Sequence, residues 1–171
     1  MYPDYYSMYN QYYGIFEEDC RNNEQSDSDE IITFNQAIEL IKQSVSDERE
    51  DEMFYDGLIQ QAPTKKEKDI IRNIRNDERK HNQILRRLYY EFTGETLPID
   101  NVLRQSKNNM NYKANLEKAL FGKLNAVTKY RKILGVMPSG NSYTLLMAIM
   151  TDELRHAIQY NFLIQENNRS I

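Results

Sequence analysis

The sequence predicts an all-α fold, a four-helix bundle built from two helical hairpins joined by one long crossover. Three observations predict it. Apolar residues recur at intervals of three and four along four separate stretches. Glycine and proline are few, six and four in 171 residues, and long stretches lack both. The second hairpin also repeats the first.

The first helical stretch opens at Thr33, a suitable N-cap, and carries Phe34, Ile38, Ile41, Val45, Glu48, Glu52, Tyr55 and Ile59 along one face. It must stop before Pro63, because a residue ahead of proline is pushed out of helical geometry. The second runs from about Thr64 to Phe92, with Ile71, Ile74, Glu78, His81, Leu85, Leu88 and Phe92 in strict 4-3 alternation. Gly94 is a natural C-terminal stop. The third carries Leu116, Leu120, Lys123, Val127, Tyr130 and Leu134, and a short turn follows at Pro138–Asn141. The fourth carries Leu146, Ile149, Glu153, His156, Tyr160 and Leu163. Residues 95–109 hold no clean period. Fifteen extended residues reach roughly 50 Å, enough to run the length of a helix of about 28 residues, roughly 42 Å. One crossover connection is therefore affordable.

Shifting the first hairpin by 75 positions lays it on the second without a gap. Tyr55 then meets Tyr130, Pro63 meets Pro138, Ile74 meets Ile149, and Asp77-Glu78 meets Asp152-Glu153. His81 meets His156, Leu88 meets Leu163, and Glu91 meets Glu166. The matches fall on the turn proline and the inner stripe, as expected of a duplicated hairpin with an approximate two-fold axis between the two Glu-x-x-His motifs.

Those motifs carry the chemistry. Glu78 and His81 share one helix face, as do Glu153 and His156, because residues three apart are neighbours on a helix. His81 and His156 are the two histidines of the chain. Glu48, Glu78 and Glu153 all sit where the stripe demands core residues. Buried carboxylates are costly without a cation, so the pattern calls for one. Mixed carboxylate and imidazole donors suit iron, manganese or zinc. The alternative is a pair of neutral core histidines beside partly hydrated glutamates.

With these residues in place the chain resembles the ferritin-like superfamily, and its rubrerythrin branch in particular, over residues 33–167. The family pattern is a glutamate on the first helix, Glu-x-x-His on the second, a glutamate on the third and Glu-x-x-His on the fourth. Glu48, Glu78, His81, Glu153 and His156 match it, and Tyr55 matches a tyrosine that relatives carry seven residues after the first glutamate. The resemblance implies a metal-binding protein, an oxidoreductase acting on peroxide or oxygen, and a homodimer. The cysteines of a rubredoxin-type domain are absent, since Cys20 stands alone.

The third helix departs from the pattern. The partner of Glu48 by the repeat is Lys123, and Tyr130, seven residues on, fixes the register. Glu117 projects roughly 120° away and is not a replacement. The resemblance implies one ion with Glu48, Glu78, His81 and Glu153, and a second with His156 and the same bridging glutamates. Three carboxylates, one ammonium and one divalent ion sum to zero. Lys123 is therefore expected to stand in for the second metal near Glu78 or Glu153, leaving one ion per chain. Snorkelling of its charge into solvent, or an ionic core without metal, are the alternatives. Tyr55, Tyr130 and Glu52 are expected around the ligands.

A second functional reading is a structural or interaction protein on a vestigial metal bundle, recruited through residues 1–32. That arm is rich in tyrosine (Tyr2, Tyr5, Tyr6, Tyr9, Tyr12, Tyr13), then acidic, and is expected to be disordered. A net charge of -4 argues against nucleic acid. The basic residues of the second helix are interleaved with acids, as on a solvated face. No apolar run nears the roughly 18 residues of a membrane span, the N-terminus has no basic-then-apolar signal pattern, and a lone cysteine suits a reducing cytoplasm.

Overall fold

A computed structural model describes residues 31–98 and 111–169, with the backbone alone over 47–53 and at 169. The expected arm, the body of the crossover and the side chains of Glu48 and Glu52 lie outside the described residues. Among the described residues there are four helices and no strand: α1 Phe34–Gln61, α2 Lys65–Thr93, α3 Tyr112–Leu134 and α4 Asn141–Arg169.

Local chemistry sets the boundaries. The Thr33 hydroxyl accepts from the Gln36 amide and the Gln36 side-chain oxygen accepts from the Thr33 amide, a reciprocal capping box. Ala62, ahead of Pro63, leaves helical geometry and closes α1. Thr64 caps α2 through the Glu67 amide, and α2 ends on Gly94 at φ 73°, a left-handed conformation that glycine adopts without a Cβ penalty. Asn111 caps α3 through the Ala114 amide.

α1 packs on α2 and α3 on α4 as hairpins; α1 also borders α3, and α2 borders α4. Two apolar clusters give the directions. One gathers Ile38 and Ile41 of α1, Leu85 and Leu88 of α2, Tyr130 and Ile133 of α3, and Leu146 and Ile149 of α4. The other gathers Tyr55 and Leu58, Ile71 and Ile74, Leu116 and Ala119, and Tyr160 and Leu163. The first cluster thus holds the start of α1 and α4 and the end of α2 and α3. Hence α2 and α3 run parallel, and the connection between them must cross the length of the bundle. This is the ferritin-like arrangement.

Each large apolar side chain buried in these clusters stabilises the fold by about 1.5–3 kcal/mol. The inner rows of α2 and α4 are buried as read, save Phe92, which is half-buried with its ring edge-on to Phe34, 5.4 Å between centroids. On α1 the reading needs adjusting: Phe34 is exposed, Ile59 half-buried, and Leu58 takes the core position. Ile59 falls at the rim, a turn before the chain reverses at Pro63.

Candidate metal centre

Between the two apolar clusters lies a polar layer. It consists of five buried side chains: Glu78 and His81 from α2, Lys123 from α3, Glu153 and His156 from α4. Position 48 of α1 faces the same level by the repeat, but its side chain is outside the described residues.

Lys123 occupies the middle. Its Nζ stands 2.9 Å from Glu78 Oε2 and 2.9 Å from Glu153 Oε2. It is buried, so the ammonium does not snorkel out to solvent. The Tyr55 ring lies 5.8 Å from it, within cation–π range. Each carboxylate turns its other oxygen to the imidazole of the opposite motif: Glu78 Oε1 is 2.9 Å from His156 Nδ1, and Glu153 Oε1 is 3.2 Å from His81 Nδ1. The imidazole rings are 5.9 Å apart. The sequence repeat therefore appears in space as an approximate two-fold pattern centred on one lysine ammonium.

The outer nitrogens are also paired. His81 Nε2 is 3.2 Å from Asp152 Oδ2, and His156 Nε2 is 3.4 Å from Asp77 Oδ2. Arg155 ties the two aspartates, at 2.9 Å from Asp77 and 2.7 Å from Asp152. Each histidine is thus clasped by the Asp-Glu pair of the other motif, with Nε2 fixed and Nδ1 turned inward. These aspartates and Arg155 were not among the site residues read from sequence. The signal was present, because both aspartates are identities of the repeat and immediately precede the glutamates.

Electrostatics follow the packing. Burial alone would lower the His81 pKa, but its contacts with Glu153 and Glu78 outweigh this and raise it to about 10. Burial opposes ionisation of Asp77, yet Lys80 and His156 hold its carboxyl below the usual range.

The donor set fits a metal ion in part. Glu78, Glu153 and His156 each offer a ligand atom within 4.8 Å of the others, and all three are buried. The Nδ1 atoms of both histidines and both Glu153 oxygens meet their neighbours at ion-pair distance without hydrogen-bond geometry, as donors open to a cation would. Position 123 offers a cation where the pattern needs a carboxylate, and that cation already spans both bridging glutamates. Tyr55 and Tyr130 sit in different apolar clusters, one on each side of the polar layer.

The profile of the rubrerythrin family matches residues 39–164. The chain belongs to the rubrerythrin family. No curated protein and no solved structure matches it closely enough to be counted as similar. For this rubrerythrin-family chain, the family and the carboxylate–imidazole cluster together suggest a metal ion. No described helix is long and apolar enough to cross a membrane.

Proposed function

We propose that this protein is a metal-binding member of the rubrerythrin family that takes one divalent ion per chain, iron, manganese or zinc, with Lys123 serving as the fixed positive charge in place of a second. The observation that carries this is the Lys123 ammonium, 2.9 Å from one oxygen of each bridging glutamate. Two-metal reduction of peroxide or oxygen needs ions about 3.5–4 Å apart that share bridging ligands. Here one bridging oxygen of each glutamate is committed to the lysine, so the reading is metal binding without two-metal catalysis. Glu78, Glu153 and one or both histidines would hold the ion, with Glu48 the expected further donor. A bound ion of this class supplies Lewis acidity or a single electron.

A second reading is favoured by a specific feature. Each of the two carboxylates gives one oxygen to Lys123 and the other to an imidazole. With one imidazolium, the two negative and two positive charges balance without any metal, and the bundle becomes a scaffold with an ionic core. Loading the protein with ferrous, manganous or zinc ion, desalting, and measuring metal per chain decides between the readings. One ion supports the first and none the second. Two tightly held ions, or oxo-bridged diferric absorbance on aerobic addition of ferrous iron, would overturn both.

A further inference from the structure

Asn82 follows His81 on α2 and turns toward α1, where its Nδ2 donates to the Val45 carbonyl at 2.9 Å. Its Oδ1 accepts from Arg86 Nε at 2.9 Å, which settles the end of the amide that faces α1. Asn82 and Arg86 are four residues apart and share one face of α2. Arg86 Nη1 also donates to the Leu97 carbonyl at 3.0 Å and the Pro98 carbonyl at 3.3 Å, where the chain has left α2 and entered the crossover. One hydrogen-bonded strap therefore runs from α1 through α2 to the first residues of the connection.

The internal repeat supplies a control. The residues 75 positions on are Ala157 and Asn161. Ala157 is buried, so a methyl group satisfies the packing of a hairpin at this place and the fold itself does not call for an amide. The hairpins also differ in what their first helix brings to the polar layer. On α3 it is Lys123, held from its tip by Glu78 and Glu153. On α1 the counterpart is position 48, the donor expected for the ion. A helical carbonyl points toward the amide four residues ahead, so the Asn82 bond meets α1 between positions 45 and 49, at the level of that donor. Rotation of α1 about its axis would swing position 48 by the same angle. A bond to the backbone resists that rotation whatever side chains α1 carries, and groups behind a ligand that hold its direction set how well it binds.

We propose that Asn82 is a positioning residue for the metal centre. Braced by Arg86, it grips α1 by the Val45 carbonyl and fixes the rotation that carries Glu48 to the ion. The strap is present on the hairpin whose first helix must deliver a carboxylate, and absent from the hairpin whose first helix delivers a lysine that the glutamates themselves hold. This role rests on the reading of one ion per chain, with Glu48 among its donors.

The test gives the first hairpin the residue of the second: Asn82→Ala in the full-length chain. Without metal, helicity by circular dichroism should be unchanged, while the amides of residues 46–53 exchange with deuterium faster than in the natural chain. Zinc affinity, read by competition with a chelating dye, should fall about tenfold. Arg86→Ala, which leaves the Asn82 amide without its brace, should weaken zinc binding by a smaller factor. Glu48→Gln removes the donor itself, so in that background Asn82→Ala should cost no further affinity. A natural chain that binds no zinc overturns the one-ion reading and this role with it. A natural chain that binds zinc, with Asn82→Ala binding it equally well, overturns this role alone. So does a loss of the same size with and without Glu48, which would make the strap a general support of the fold.

Discussion

His156 on α4 sets its Nε2 3.4 Å from Asp77 on α2, and His81 on α2 returns the contact to Asp152 on α4 at 3.2 Å. A carboxylate on the outer nitrogen orients the ring and, when a metal replaces any proton on the inner nitrogen, raises the strength of that nitrogen as a ligand. Replacing Asp152 by Asn keeps the shape and removes that charge. Asp152→Asn should weaken binding of the single ion by about 10–100-fold, read by competition with a chelating dye, with helicity unchanged. An unaltered affinity would show that the aspartate serves Arg155 alone.

Lys123 makes the sharpest single-residue prediction. Lys123→Met removes the shared cation and leaves two carboxylates side by side in a buried layer. Breaking a buried ion pair from one side costs about 3–5 kcal/mol, so the metal-free variant should unfold at clearly lower denaturant concentration. Lys123→Glu should be less stable still without metal. Added ferrous or manganous ion should restore it and raise the capacity from one ion to two. A Lys123→Glu protein with unchanged capacity would refute the role given to the lysine.

Much of this centre was legible because burial leaves a periodic trace. The rows Ile71–Ile74–Glu78–His81–Leu85–Leu88 and Leu146–Ile149–Glu153–His156–Tyr160–Leu163 are buried throughout. The repeat placed Lys123 at the level of the glutamates before any coordinates. That it lies near both glutamates rather than one is a matter of three-dimensional packing, which periodicity cannot give. Asp77 and Asp152 escaped because one residue before the glutamates is a turn of 100°, toward the neighbouring helix rather than the core. Glu67 escaped for a different reason. In the basic first turn of α2 it looks like a surface acid, and its burial depends on α3 and α4.

The imidazole of His81 predicts how stability of the metal-free protein depends on pH. Its pKa is raised from 6.5 to about 10 in the folded state. A raised pKa means the folded state holds the proton more tightly than the unfolded chain. The stabilisation is therefore complete below pH 6.5 and disappears as pH climbs through about 10. Chemical denaturation with chelator present should give a lower midpoint at pH 10 than at pH 6.5, and His81→Gln should flatten the difference. Metal binding should show the opposite trend and tighten with pH, because the ion must displace this proton. A metal-free protein equally stable at both values would mean that His81 is neutral in the fold.

The last prediction concerns Glu67, buried at the far end of the bundle from the Gly94 turn. Its carboxylate accepts from the Thr64 hydroxyl at 2.9 Å, the Tyr112 hydroxyl at 2.8 Å and the Asn167 side-chain amide at 3.0 Å. These neutral donors join the start of α2, the start of α3 and the end of α4, so the cluster pins the point where the crossover re-enters the bundle. Burial, and then the neighbouring carboxylate, push the Tyr112 phenol well above its ordinary pKa, so it remains a donor. Tyr112→Phe removes one of three donors from a buried charge and should cost about 1.5–3 kcal/mol, measured by denaturant unfolding. Ile71, Ile74 and Tyr160 belong to the apolar cluster on this side of the polar layer, so metal content should not change. A loss of metal with the loss of stability would mean that the two ends of the bundle are coupled through that cluster.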